Sequence, residues 1–203
     1  SATGPDGQVA TFTYDANGNR LSMIDHLGNT TQYEYDVKGQ LIKVTDAQGN
    51  VTRYIYDANG NRSSVTDANG KTTTFTFNFE GQMVSMTDAM GFVTQFEYSG
   101  SAGCSTCAGG VNKLTGLTDA KGQTTNFQYD VLGNLVKEVY PLGKMTEYGY
   151  DAAGRVASKT DPNGNTISYS YDTLGRLTAK TYPDGSQTTF SYDADGSLLT
   201  AAN

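Results

Sequence analysis

The chain contains no tryptophan, one histidine and two cysteines. A single imidazole, with no recognisable nucleophile or phosphate-loop motif beside it, leaves most enzyme classes without their working parts. Charged residues make up only 17%, and 21 acids against 14 bases give a net charge of -7 and a pI near 4.6. A phosphate backbone is repelled on average by such a surface, so nucleic acid is a poor first guess. No apolar run approaches the roughly eighteen residues of a membrane span, and no charged-then-apolar leader opens the sequence. What is abundant is glycine, at 24, together with 14 tyrosines and 8 phenylalanines in 203 residues. That mix points to strands and turns, in a chain long enough for one or two domains.

Self-similarity dominates the sequence. An aromatic-acid pair recurs as Tyr14-Asp15, Tyr35-Asp36 and Tyr56-Asp57, then as the degenerate Phe77-Asn78 and Tyr98-Ser99, then as Tyr129-Asp130, Tyr150-Asp151, Tyr171-Asp172 and Tyr192-Asp193. Every step is 21 residues except the one from Tyr98 to Tyr129, which is 31. The ten additional residues fall in the segment Gly100-Ser-Ala-Gly-Cys-Ser-Thr-Cys-Ala-Gly-Gly110, a cysteine-containing loop insertion around 99–110.

Two glycines keep fixed places in each repeat, one four residues after the aromatic (Gly18, Gly39, Gly60) and one seven before the next (Gly28, Gly49, Gly70). The strings around them, such as 15–19 Asp-Ala-Asn-Gly-Asn and 161–165 Asp-Pro-Asn-Gly-Asn, are rich in residues that accept positive φ cheaply. Two hairpin turns per repeat follow. Between turns the period is two: Thr31, Tyr33 and Tyr35 alternate with Gln32, Glu34 and Asp36. The spacing predicts strands, each with one aromatic face. The second strand of each repeat is less regular, short and apolar, as in Leu41, Ile42 and Val44 or Leu135, Val136 and Val139.

These elements predict an all-β fold with no helix. It is a continuous antiparallel meander of 21-residue β-hairpin repeats, roughly eighteen strands forming a single array over 1–203. Accumulated twist makes a sheet that long coil into a curved wall or spiral. Leu, Ile, Val and Phe are too few for a large two-layer core, so the stabilisation is assigned to an aromatic ladder. Its rungs are Tyr33, Tyr35, Tyr54, Tyr56, Phe75, Phe77, Phe96, Tyr98, Phe127, Tyr129, Tyr148, Tyr150, Tyr169, Tyr171, Phe190 and Tyr192.

The recurring Tyr-Asp-x-x-Gly-(Asn/Arg)-Leu, followed by Asp-x-x-Gly and Thr-x-Tyr-x-Tyr, resembles the YD repeat of bacterial Rhs proteins, toxin-complex C components and teneurins. Tyr171-Asp-Thr-Leu-Gly-Arg-Leu177 with Tyr182-Pro-Asp-Gly185 is a near-consensus copy, and the resemblance runs from Pro5-Asp6-Gly7 to Leu198. It implies a β-sheet coiled into a hollow shell that encloses a toxin polypeptide or forms an extracellular scaffold. It also implies a secreted or cell-surface location, with the remainder of a longer parent polypeptide as the first partner. Both ends of the sequence fall within the repeat register, which reads as a segment of a larger array, and its outermost strands would offer edges for self-association.

Other candidates carry bland alternatives. Cys104 and Cys107, spaced C-x-x-C, suit a structural disulfide or inert thiols; half a metal site or redox exchange are the other readings. Export, as the family implies, favours the disulfide. His26 holds a place taken by Ala47, Ala68 and Ala89 in other copies, so it reads as a turn substitution without a catalytic role. The Asp-x-Asn-Gly-Asn strings resemble calcium loops but lack the EF-hand spacing, and turn chemistry explains them, with weak surface calcium binding as the alternative. The aromatic stripe either packs the wall or offers flat rings to glycans. The expected function is therefore structural, without catalysis, metal or cofactor. The alternative is an adhesion module that binds glycans or a protein partner through its aromatic and polar face.

Overall fold

The structure, a computed structural model, describes residues 1–3, 8–100 and 112–202. Cys104 and Cys107 lie outside the described residues. The chain divides into two compact units, Ser1–Gln95 and Phe96–Asn203.

The first unit runs β1 (Ala2–Thr3), β2 (Val9–Tyr14), β3 (Arg20–Ile24), β4 (Thr30–Tyr35), β5 (Leu41–Thr45), β6 (Val51–Tyr56), β7 (Arg62–Thr66), β8 (Thr72–Phe77) and β9 (Met83–Thr87), and ends inside β10 (Val93–Tyr98). Each strand pairs antiparallel with the one before it. The second unit begins at Phe96 in β10 and continues through β11 (Leu114–Thr118), β12 (Thr124–Tyr129), β13 (Leu135–Val139), β14 (Met145–Tyr150), β15 (Val156–Thr160), β16 (Thr166–Tyr171), β17 (Leu177–Thr181), β18 (Gln187–Tyr192) and β19 (Leu198–Ala202). From β11 onward its strands also form an antiparallel meander. Nineteen strands are present among the described residues, against the roughly eighteen that the repeat count predicts.

Long strands of six residues alternate with short ones of five because the repeat places an Asp-x-x-Gly turn after each. At the end of nearly every long strand a bulge shifts the register by one, as between Glu34 and Tyr35 opposite Leu41. Consequently Glu34 faces Lys43, and Lys43 faces Arg53 rather than Ile55, the residue one period on from Glu34. The same step takes Gln128 to Lys137 to Glu147 in the second unit. A straight row of cross-strand partners therefore drifts two residues toward the strand start in every repeat.

Burial follows the alternation. In β4 the pattern places Thr31, Tyr33 and Tyr35 half-buried and Gln32 and Glu34 exposed. No hydrophobic side chain is fully buried among the described residues, which is the signature of a sheet one layer thick rather than a two-layer core. Stabilisation then comes from many partial burials. Half-covering an aromatic ring removes about 100 Å² from water, worth about 2.5 kcal/mol.

The ten-residue insertion leaves the ladder closed at its base. The Ser99 N–H donates to the Lys113 carbonyl at 2.7 Å, the Asn112 N–H to the Ser99 carbonyl at 3.0 Å, and the Lys113 N–H to Ser99 Oγ at 2.9 Å. One helical turn departs from the all-strand expectation, a three-residue 3-10 segment at Pro141–Gly143. It is the hairpin turn between β13 and β14, where Leu142 takes φ 70° between Pro141 and Gly143.

Candidate functional site

The repeat builds two kinds of turn, and the Tyr-Asp end is the more elaborate. In 15–19 the Gly18 N–H donates to the Asp15 carbonyl at 3.2 Å and the Asp15 N–H to the Asn19 carbonyl at 2.9 Å. Gly18 sits at φ 87°, where any L side chain would be strained, and this lets the chain enter the next strand with a bulge. The asparagine of Asn-Gly does not share that conformation: the non-glycine residues with positive φ are Asn112 and Leu142 among the described residues.

The aspartate of the Tyr-Asp pair clamps the turn. Asp15 Oδ1 accepts from the N–H groups of Asn17 and Asn19 at 2.9 and 2.8 Å, and Oδ2 accepts from Asn19 Nδ2 at 2.8 Å. Asp57 and Asp130 repeat the arrangement with Asn61 and Asn134. Asn78 substitutes for the acid in one copy, its Oδ1 accepting from the N–H groups of Glu80 and Gln82. The asparagine amides hold the carboxyls of Asp15, Asp57 and Asp130 below the usual carboxylate range, and in Asp151 and Asp172 the backbone N–H of the following arginine is the leading cause. Both oxygens of these carboxylates are therefore engaged in the turn itself. That is the turn chemistry set against calcium ligation.

The tyrosine of the pair links one hairpin to the one before it. Tyr35 donates its hydroxyl to the Arg20 carbonyl at 3.0 Å and Tyr56 to the Leu41 carbonyl at 2.9 Å. Tyr129, Tyr150, Tyr171 and Tyr192 reach the carbonyls of Leu114, Leu135, Val156 and Leu177 at 2.8 to 2.9 Å. Each bond spans 15 residues and closes the gap that opens between hairpins at the end where they share no turn. Burial raises the phenol pKa of Tyr129 and Tyr150, with a nearby carboxylate adding to it.

Where arginine follows the turn glycine, it adds a third connection. Arg176 Nε pairs with Asp172 Oδ2 at 2.7 Å, its Nη1 donates to the Asp193 carbonyl of the next turn at 3.1 Å, and its guanidinium lies 4.9 Å from the Tyr192 ring centroid. Arg155 does the same with Asp151, Asp172 and Tyr171. Asparagine in that place, as at Asn19 or Asn61, serves only its own turn, whereas Gln40 reaches across to the Gly60 carbonyl at 3.3 Å.

The inner aromatics occupy the same face, opposite the short strands: Tyr33 faces Val44, Tyr54 faces Val65 and Phe75 faces Met86 in the first unit. In the second unit Phe127 faces Glu138, Tyr148 faces Lys159, Tyr169 faces Lys180 and Phe190 faces Ala201. Glu138 accepts from the hydroxyls of Tyr140 and Tyr148, and this hydrogen bond is the leading cause that raises the pKa of Tyr140. Phe96 stands at the repeat position of Tyr33, Tyr54 and Phe75, whereas Phe77 and Tyr98 stand at that of Tyr35 and Tyr56, and Phe77 has no hydroxyl to offer. His26 occupies an exposed turn tip beside Asp25. The stitching role of the arginine escapes a motif reading, because its targets lie 17 residues ahead and only the pairing register brings them near.

This is the architecture of a hairpin-repeat β-sheet whose successive copies are pinned at the Tyr-Asp end. The teneurin YD-shell family model matches residues 9–168, and the RHS repeat matches residues 150–187 and 171–203; the chain belongs to the teneurin YD-shell family. Its fold is also that of solved toxin-complex structures. The TcdB2-TccC3 structure aligns over 95% of this chain at 17% identity with a TM-score of 0.58, and TcdB2-TccC3-Cdc42 over 95% at 16% identity with a TM-score of 0.55. The chain spans 13% of the length of either. Among curated proteins none matches.

Proposed function

We propose that this chain is a wall segment of a hollow β-shell, a single array of about nine repeats within a larger secreted or surface-displayed bacterial protein. The shell encloses or presents another polypeptide, and the segment itself performs no catalysis. The observation that carries this reading is the register drift of two residues per repeat. Two residues of about 3.4 Å against two strand spacings of about 4.8 Å tilt the strands by roughly 35° from the line of equivalent residues, within the range of closed and coiled sheets. Tyrosine and arginine stitches at the Tyr-Asp end support it, because they tie each repeat to its neighbour in the way a self-supporting wall requires. The aromatic ladder is read as wall packing: six of its tyrosine hydroxyls spend their one proton on neighbouring carbonyls, which ties those rings to the wall. The same reading takes Cys104 and Cys107 as a structural disulfide of the inserted loop.

Cryo-electron microscopy of the full-length parent tests the proposal. Density for a second polypeptide inside a wall containing this segment is the expected outcome. An open sheet whose aromatic face meets solvent would overturn it and favour the adhesion reading.

A further inference from the structure

Four turn tips carry the dipeptide Asn-Gly, at Asn17-Gly18, Asn59-Gly60, Asn69-Gly70 and Asn163-Gly164. This is the pair most prone to spontaneous cyclisation in an unstructured chain. The glycine nitrogen attacks the asparagine side-chain carbonyl carbon and a C–N bond forms as ammonia leaves. Water then opens the resulting succinimide to aspartate or isoaspartate. Glycine lacks the Cβ that would hinder the attack, and all four asparagines are exposed to water.

The folded turn withdraws the nucleophile. In the four turns the glycine N–H is already a donor to the carbonyl of the leading aspartate: Gly18 to Asp15 at 3.2 Å, Gly60 to Asp57 at 3.1 Å, Gly70 to Asp67 and Gly164 to Asp161 at 3.0 Å. The asparagine N–H is held as well, by Oδ1 of the same aspartate at 2.8 to 2.9 Å. Cyclisation requires the peptide between the two residues to rotate until its nitrogen faces the side-chain carbonyl; that rotation breaks the bond from the glycine N–H to the aspartate carbonyl, while the Oδ1 bond to the asparagine N–H holds the rest of the turn against the adjustment. We propose that Asp15, Asp57, Asp67 and Asp161 are clamps that hold four deamidation sites shut while the repeat is folded.

Each event would add a negative charge to a chain that already carries -7. The isoaspartate product also lengthens the backbone inside a turn whose register depends on residue count. The aspartate that shapes the hairpin thus also sets its chemical lifetime. It follows that turns which open most often age first.

The test is peptide mapping by mass spectrometry after incubation of the whole chain at mildly alkaline pH. It compares wild type, Asp57→Ala and Asp57→Asn, with a denatured wild-type sample as the unclamped reference. Loss of a charge-assisted hydrogen bond of ordinary strength predicts about a tenfold faster reaction at Asn59 in Asp57→Ala. Asn17, Asn69 and Asn163, whose clamps are intact, keep their wild-type rates. Asp57→Asn restores protection, because Asn78 makes the same Oδ1 contacts in its own turn. The proposal is overturned if Asn59 reacts as fast in folded wild type as in the denatured chain, or if it is unchanged in Asp57→Ala. Equal acceleration of Asn17, Asn59 and Asn69 would overturn it too, since protection would then belong to global folding and not to the local clamp.

Discussion

The two ends of the strands are built from the same turn and do different work. At the end opposite the Tyr-Asp pairs, Asp25 Oδ1 accepts from the N–H groups of Leu27 and Asn29 and its Oδ2 from Asn29 Nδ2, the same clamp as at Asp15. Those contacts stay within one hairpin. At the Tyr-Asp end the same clamp is accompanied by a tyrosine that reaches back 15 residues and, in two copies, by an arginine that reaches forward 17. An aspartate therefore suffices to make a turn, while joining one turn to the next takes a longer side chain. The turn itself tolerates substitution at both ends: the opposite turns carry Ala, Pro or His26 after the acid and Tyr140 and Tyr182 in its place, and the Tyr-Asp turns carry Ala, Val, Phe or Thr after it and Asn78 and Ser99 in its place.

The comparison breaks first at the tyrosine. Tyr171→Ala removes a half-buried ring, the bond to the Val156 carbonyl and the ring beneath Arg155, and is expected to cost about 3 kcal/mol in urea denaturation. Asn165→Ala at the opposite end, by contrast, should leave the midpoint nearly unchanged. If the two cost the same, the stitched end has no special role.

Tyr171→Phe isolates the hydroxyl and is expected to cost about 1 kcal/mol by the same measurement. At the opposite end, Leu142→Gly relieves a leucine held at φ 70° and is expected to stabilise by about 1 kcal/mol, seen as a raised Tm. The degenerate copy offers the converse experiment. Phe77 stands 15 residues after Arg62, the spacing of every tyrosine stitch, so Phe77→Tyr is expected to gain about 0.5 kcal/mol in calorimetry by supplying the missing donor.

The smallest effect per site belongs to the titration of the clamp carboxyls, and it is shared by both ends. Asn50 and Asn29 lower the carboxyl pKa of Asp46 and Asp25 at the opposite turns as Asn19 and Asn61 do for Asp15 and Asp57 at the Tyr-Asp turns. A folded-state pKa below the unfolded value contributes stability that is fully present above about pH 4 and is lost as the pH falls through the lowered folded value. Denaturation midpoints should hence be flat from pH 7 to pH 5 and fall below pH 4. A midpoint that rises on acidification would contradict the clamp at both ends alike.

Much of the fold is legible without coordinates because its repeat is local. Period-two alternation names the strands, Asp-x-x-Gly names the turns, and the constant 21-residue step of Tyr35, Tyr56 and Phe77 says that neighbours in sequence are neighbours in the sheet. The site is less legible. Asn-Gly suggests left-handed asparagine, yet glycine alone takes that conformation in those turns, and the aspartate's part as a double acceptor becomes visible only when Asn17 and Asn19 are seen pointing at it. Likewise Arg155 and Arg176 read as motif consensus. Their targets, the Asp172 and Asp193 carbonyls, come within reach only through the paired strands.

The order of strands, their lengths and the chemistry of each turn were determined by the sequence itself, since all three rest on interactions within one or two hairpins. Only the tertiary structure decided how one hairpin is offset from the next. That offset depends on the bulge at Glu34 and Tyr35 and its counterparts, and a single-residue bulge leaves no mark on a period that is conserved either way. The two-residue drift, the 15-residue tyrosine bond and the charged or apolar partner facing each inner ring all follow from that register. Physically, a register is a choice among pairings with similar backbone hydrogen bonding, and the side chains that settle it act across strands and not along them.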